Sequence, residues 1–175
     1  MGWSIDAAGP FPADEDGYRF VLIAVDPFSK WVELRPVVSL HSWRAAHFLY
    51  EDIVGRWGTP RFVRTDNGSE FAGAFDRLCT ALGVTHLRIT PGNSKANGQV
   101  ERTIQTMKEV IRRGLTGHPK SYWSDHLAAA LLLLRHTAST STGLAPITLL
   151  TARRPVVPPT LLPSLPVLPD EPTAE

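Results

Sequence analysis

The sequence predicts an α/β fold in which a mixed central sheet, three antiparallel strands plus two shorter ones, is flanked by helices. Three observations predict it. The segments read in the order strand, strand, strand, helix, strand, helix, strand and then helices, the pattern of a sheet covered by helices. Phe20 to Val25 (FVLIAV) is an unbroken apolar run between turn signals, as in a central strand buried on both faces. From Trp43 onward the apolar residues change to helical spacing. With 175 residues, 43% hydrophobic and 20% charged, the chain can bury a core of its own.

Trp3 to Ala8 reads as a short first strand ended by Pro10 and Pro12, and the acidic turn Asp14 to Gly17 leads to Phe20–Val25. Asp26 and Pro27 open the next turn, and the alternating Trp31 to Arg35 gives a third strand; three strands on short turns form an antiparallel meander. Trp43, Ala46, Tyr50, Ile53, Val54 and Trp57 mark a helix, with Ser42 as its cap and Gly58 and Pro60 as stops. Phe62 and Val63 lead a short strand into Asp66, a helix spans Phe71 to Leu82, and another strand spans Val84 to Ile89.

Thr90 to Gly98 (TPGNSKANG) lacks apolar periodicity and reads as a mobile loop. A long helix follows, with Val100, Ile104, Met107, Ile111 and Leu115 on one stripe. The helix from about Ser121 to Ala138 is apolar around much of its girth, which implies burial in the core or in a subunit interface. Seven of the eighteen residues from Pro155 to Pro172 are proline, so residues 155–175 are expected to be an extended or disordered tail after a folded unit at 1–154.

Composition excludes some functions. Cys79 is the only cysteine, so neither an internal disulfide nor a zinc site needing two thiolates can form. The apolar run Leu127 to Leu134 is too short to span a bilayer and no signal peptide is evident; a protein without membrane attachment, intracellular and nuclear, is expected. The net charge of +1 demands no acidic partner, so an argument for nucleic acid must rest on local charge.

Three carboxylates are placed to do chemistry. Asp66 and Glu101 lie 35 residues apart, but with 17 acidic residues in the chain, chance supplies about one such pair. Position says more. Asp66 ends an apolar strand and precedes Asn67 and Gly68, which tolerate a sharp turn. Glu101 sits early in the long helix, beside the buried stripe, and Asp6 lies between Ile5 and Ala7, where an unpaired carboxylate is costly. Converging carboxylates repel unless a cation joins them, and hard oxygen donors suit Mg²⁺ or Mn²⁺, two ions of which serve an in-line phosphodiester attack. The plainer readings stay open: Asp6 as a turn residue, Asp66 as an Asx turn, Glu101 as a helix-dipole partner. Asp26 is a rival to Asp6 that its Asp-Pro turn explains in full.

WSID at 3–6, TDNGSEF at 65–71 and KANGQVERTIQTMK at 95–108 resemble the three catalytic blocks of retroviral and retrotransposon integrases. VDPFSKWVE at 25–33 and STGLAPITLLTARRP at 141–155 resemble, more narrowly, integrases of gypsy-like LTR retrotransposons. The blocks are collinear over nearly the whole chain. The resemblance implies an RNase H-like fold, Asp6, Asp66 and Glu101 as a metal-binding catalytic triad, and DNA strand transfer or endonucleolytic cleavage in integration. It also implies element ends and target DNA as partners, and a homodimer formed through the core. The Thr90–Gly98 loop departs from the usual Tyr-His-Pro-Gln type, and the single cysteine leaves no His/Cys zinc domain. The chain therefore reads as a fragment, a truncated element copy or a host-adopted remnant that binds DNA or a protein.

Residues 95–120 hold six basic residues against Glu101 and Glu109. Glu101, Gln105, Lys108 and Arg112 share one helix face, which would set Lys108 and Arg112 beside the metals to neutralise phosphates. Lys95, Asn97, Gln105, Lys108 and Arg112 are the DNA-contact candidates, with weak sequence preference expected; Arg113 and Lys120 read as solvated surface.

Overall fold

The computed structural model describes residues 2–89, 94–115, 120–154 and 156, and of residues 94–97, 99, 114, 120 and 121 the backbone alone. The expected tail at 155–175 therefore lies outside the described residues, except Val156.

Five strands, β1 (Gly2–Ala8), β2 (Phe20–Val25), β3 (Val32–Val37), β4 (Phe62–Thr65) and β5 (Thr85–Arg88), form one sheet in the order β3-β2-β1-β4-β5. The first three pair antiparallel, whereas β4 runs parallel to both β1 and β5. The mixed sheet expected from the sequence is the one observed. All of β2 after Phe20 is buried, as an apolar run in the middle of a covered sheet must be.

Side chains leave a strand on alternate faces, so β1 divides its residues between two cores. Trp3 and Ile5 enter the layer formed with Phe48, Leu49, Ile53, Phe71 and Phe75, and Ala8 joins the opposite layer with Val100, Met107, Val110, Trp123 and Leu133. The first layer comprises α1 (Ser42–Phe48), its π-helical continuation Leu49–Val54, the terminal turn α2 (Gly55–Trp57) and α3 (Ala74–Ala81). The second comprises α4 (Ser94–Gly114) and α5 (Leu127–His136), which is followed by the short α6 (Pro146–Thr151). Among the described residues, no helix is long and apolar enough to cross a membrane.

Several details differ from the sequence reading. Trp43 and Tyr50 are 48% and 56% exposed, because the buried stripe is set by Ala45, Phe48, Leu49 and Ile53 instead. The N-cap of α1 is His41, and the Ser42 hydroxyl lies across the layer, 3.4 Å from the Ala74 N–H that donates to it. The expected helix from Phe71 breaks at Gly73, whose φ of 57° is one that L side chains rarely adopt; a 3₁₀ turn at Ser69–Phe71 precedes the break and α3 follows it. The long helix begins at Ser94, so residues 94–98 are helical rather than part of a loop. Lys95, Ala96 and Gln99 are good helix formers and outweigh Asn97 and Gly98. The rest of that expected loop, residues 90–93, lies outside the described residues.

The alternation read in β3 fails at Glu33, which is buried. Its carboxylate accepts hydrogen bonds from the Trp31 and Trp57 indoles, each at 3.0 Å, and pairs with Arg56 at 3.0 Å and Arg135 at 2.7 Å. Arg135 also donates to Val32 O and lies 4.2 Å from the Trp31 ring centroid, tying the end of α5 to β3. Asp26 closes its turn by accepting from Phe28 N, Ser29 N and Ser29 Oγ, which accounts for it structurally.

Candidate active site

The register of β1 on β4 places the first two carboxylates. Gly2, Trp3 and Ser4 pair with Phe62, Val63 and Arg64. Two residues further along the same parallel register bring Asp6 beside Asp66, which follows the end of β4. Asp6 is an even-numbered partner of Ser4 and Ala8, so its side chain leaves the sheet on the α4 side. Helix α4 packs against β1 and β2, carrying Glu101 two turns from its start.

Asp6 feels the charge of the other carboxylates. Burial raises the Asp6 carboxyl from 3.8 to about 6, against the lowering effect of the Ala7 N–H, and the negative charges of Asp66, Glu70 and Glu101 raise it further. Asp6 Oδ1 accepts from Ala7 N at 2.7 Å, and Asp66 Oδ1 accepts from Gly68 N at 2.9 Å. The Asx turn at Asp66 is therefore present, yet each carboxylate keeps a second oxygen for another partner. Glu101 is exposed. Among the described residues, no three Asp, Glu, His or Cys side chains are drawn together tightly enough to cage a metal ion as they stand.

Glu70 is a fourth carboxylate that the sequence reading passed over. It lies in the 3₁₀ turn after Asp66 and folds back over Gly68, where an added Cβ would meet Glu70 Oε2 at 2.5 Å. Its place inside the TDNGSEF block was the available signal.

The proposed DNA-facing residues divide. Gln105, Lys108 and Arg112 are all exposed along α4 with Glu101. Lys108 Nζ lies 6.0 Å from the Phe11 ring centroid, over the loop after β1. Arg112 sits about three turns beyond Glu101, roughly 16 Å along the axis, and is not beside the carboxylates as the shared face suggested. Two of its nitrogens hold Glu109 at 2.8 Å, and Arg113 Nε holds the same carboxylate at 2.7 Å. Hydrogen bonds from Arg112 and then Arg113 push Glu109 down to about 2. The side chains of Lys95 and Asn97 lie outside the described residues.

The family described as "Integrase core domain" matches residues 2–94, more than half of the chain. The chain belongs to the integrase core domain family. Curated relatives agree: the Gag-Pol polyprotein of avian reticuloendotheliosis virus is 35% identical over 158 residues, covering 90% of this chain and 14% of the polyprotein. That of walleye dermal sarcoma virus is 32% identical, covering 73% of this chain and 7% of its own length. This integrase core thus spans about a seventh or less of these two relatives. They support the retroviral-type family and do not separate a gypsy-like subgroup from it.

Among solved structures, the simian T-cell lymphotropic virus intasome in complex with PP2A regulatory subunit B56 gamma matches with a TM-score of 0.73 and 24% identity, covering 99% of this chain and 60% of that one. The HTLV-2 integrase catalytic core domain in complex with magnesium, in trimeric form, matches with a TM-score of 0.65 and 22% identity, covering 83% and 92%. These likenesses establish the RNase H-like fold of the integrase core.

Proposed function

We propose that this chain is the catalytic core of a divalent-metal-dependent DNA strand transferase and endonuclease acting in integration, with Asp6, Asp66 and Glu101 holding the metal. One observation carries the reading: burial first, and then the negative charges of Asp66, Glu70 and Glu101, hold the Asp6 carboxyl at about 6. A set of mutually repelling carboxylates is what a hard cation relieves, and every donor is an oxygen of the kind Mg²⁺ or Mn²⁺ prefers. Family membership and the magnesium in the related HTLV-2 core support the same assignment.

A pair of such ions, when bound, supplies charge neutralisation and nucleophile activation for in-line attack on a phosphodiester. The chain's own residues do the rest. Asp6, with Oδ1 held by the Ala7 N–H, would offer Oδ2 to the cation. Asp66 is oriented by Gly68 N through Oδ1, which leaves Oδ2 for the cation. Glu101 approaches from α4 and can swing in, being exposed. Lys95, Asn97, Gln105 and Lys108 would position the DNA backbone, and Arg112 would join them once released from Glu109. DNA from element ends and target, a homodimer through the half-buried α5 residues Leu131 and Leu134, and a nuclear site of action complete the proposal.

A second reading is a catalytically silent remnant that binds DNA or a protein; the open spacing of the carboxylates among the described residues favours it. The test is incubation with branched or blunt element-end DNA and Mg²⁺ or Mn²⁺, beside Asp66→Asn. We expect metal-dependent strand breakage or joining that the variant loses. Equal activity in both proteins refutes the assigned site, and inactivity of both favours the remnant.

A further inference from the structure

We infer that His86 is a positioning residue for this site: anchored by Asp76, it holds the Thr65 hydroxyl, and through that hydroxyl it fixes the backbone of Asp66. The inference rests on the metal-holding role proposed for Asp66.

His86 lies on β5 opposite Val63 of β4, and its side chain is only 8% exposed. Both ring nitrogens are engaged. Nδ1 lies 2.6 Å from Asp76 Oδ1, and Nε2 lies 2.8 Å from Thr65 Oγ1. The Thr65 hydroxyl in turn donates to Asp66 O at 2.8 Å. Phe75 packs edge-on against the imidazole at 5.1 Å, which leaves the ring little room to turn.

Asp76 is a carboxylate: its slight burial opposes ionisation, but the hydrogen bond with His86 and the charge of Arg88 outweigh this and lower it from the ordinary value. It accepts only, so Nδ1 donates. The Thr65 hydroxyl lies 2.8 Å from both His86 Nε2 and Asp66 O, so the line Asp76–His86–Thr65–Asp66 is continuous.

A simple staple between α3 and β5 would use Asp76, Nδ1 and Arg88 Nη2, which bonds Asp76 Oδ2 at 2.6 Å, and would need nothing from Nε2. Here Nε2 instead reaches the residue immediately before a candidate metal ligand. Partners that orient ligands in this indirect way commonly affect metal affinity or activity by about 10–100-fold.

The test compares the wild type with Thr65→Val, Thr65→Ser, His86→Gln, the Thr65→Val/His86→Gln double variant and Asp66→Asn. Imidazole nitrogen NMR signals, calorimetric Mn²⁺ binding, and Mn²⁺-dependent cleavage of branched DNA are measured. The His86 Nε2 signal is expected to be displaced in Thr65→Val. That isosteric variant should bind Mn²⁺ about tenfold more weakly and lose about tenfold in kcat with KM for DNA within about twofold. Thr65→Ser should restore both, and the double variant should lose no more than either single one. An Nε2 signal unmoved by Thr65→Val, or wild-type Mn²⁺ binding by that variant, overturns the inference. If Asp66→Asn also binds Mn²⁺ normally, the metal role of Asp66 has failed instead, and the nitrogen signals alone decide whether His86 holds Thr65.

Discussion

Replacing Asp6 by Asn should stabilise the metal-free protein. In the folded state the carboxyl is raised from 3.8 to about 6, chiefly by burial and then by neighbouring negative charge. Between these values the native state binds more protons than the unfolded one, so stability falls as pH rises through the window, and the full penalty is present above about pH 6. A displacement of that size corresponds to at most about 3 kcal/mol. Asp6 is only partly buried, so relaxation and solvent should reduce the penalty to about 1.5–2 kcal/mol. Asn keeps an oxygen for the Ala7 N–H and has no charge to desolvate. For a chain of this size the gain is about 4–6 °C in Tm near pH 7.5, vanishing near pH 4. Thermal melts with chelator across pH 4–8 measure it directly. Excess Mn²⁺ should reverse the order, because only the wild type gains binding free energy on folding. An Asn variant that melts below the wild type at pH 7.5 without metal, or whose gain is the same at pH 4, refutes the reasoning.

Two further outcomes follow from charges elsewhere. Glu33→Ala should cost about 3–5 kcal/mol in urea unfolding, because it strands two indole N–H groups and leaves Arg135 half-buried beside Trp31 without its carboxylate; Glu33→Gln should lose less, since it can still accept from the indoles. Glu109→Ala releases Arg112 on the exposed face of α4; DNA affinity should rise severalfold at low salt, with the log–log salt slope steeper by about one. Unchanged binding in a salt titration would remove Arg112 from the DNA interface.

What the sequence discloses here is what local pattern can encode. The run FVLIAV is legible because both faces of a central strand are buried, and turn residues at Asp26 and Gly83 bound their elements locally. Glu33 is not legible, since WVELR alternates like a half-exposed strand. Its burial depends on Trp57, Arg56 and Arg135, residues 23 to 102 positions away. The same holds for Trp43 and Tyr50: spacing alone proposes a stripe, but which arc of a helix is buried depends on its partner, and a π-helical stretch at Leu49–Val54 shifts the phase. Asp6, Asp66 and Glu101 could be picked out singly, while their spacing was worth nothing. His86 escaped because its place is set only by contacts made on folding, whereas Glu70 had its position in TDNGSEF as a signal.

The plain and the chemical readings of Asp66 are not rivals once the oxygens are counted. The Asx turn to Gly68 N uses Oδ1 alone, and the contact of Asp6 Oδ1 with Ala7 N likewise leaves Oδ2. Each contact fixes its carboxylate while leaving a second oxygen, Asp6 within β1 and Asp66 just past the end of β4. Burial first, and then the charges of Asp66, Glu70 and Glu101, raise the Asp6 carboxyl; an amide in its place would keep the bond from Ala7 N and shed the repulsion. The cost of Asp6, which a bound cation would relieve, is a physical argument independent of the family resemblance.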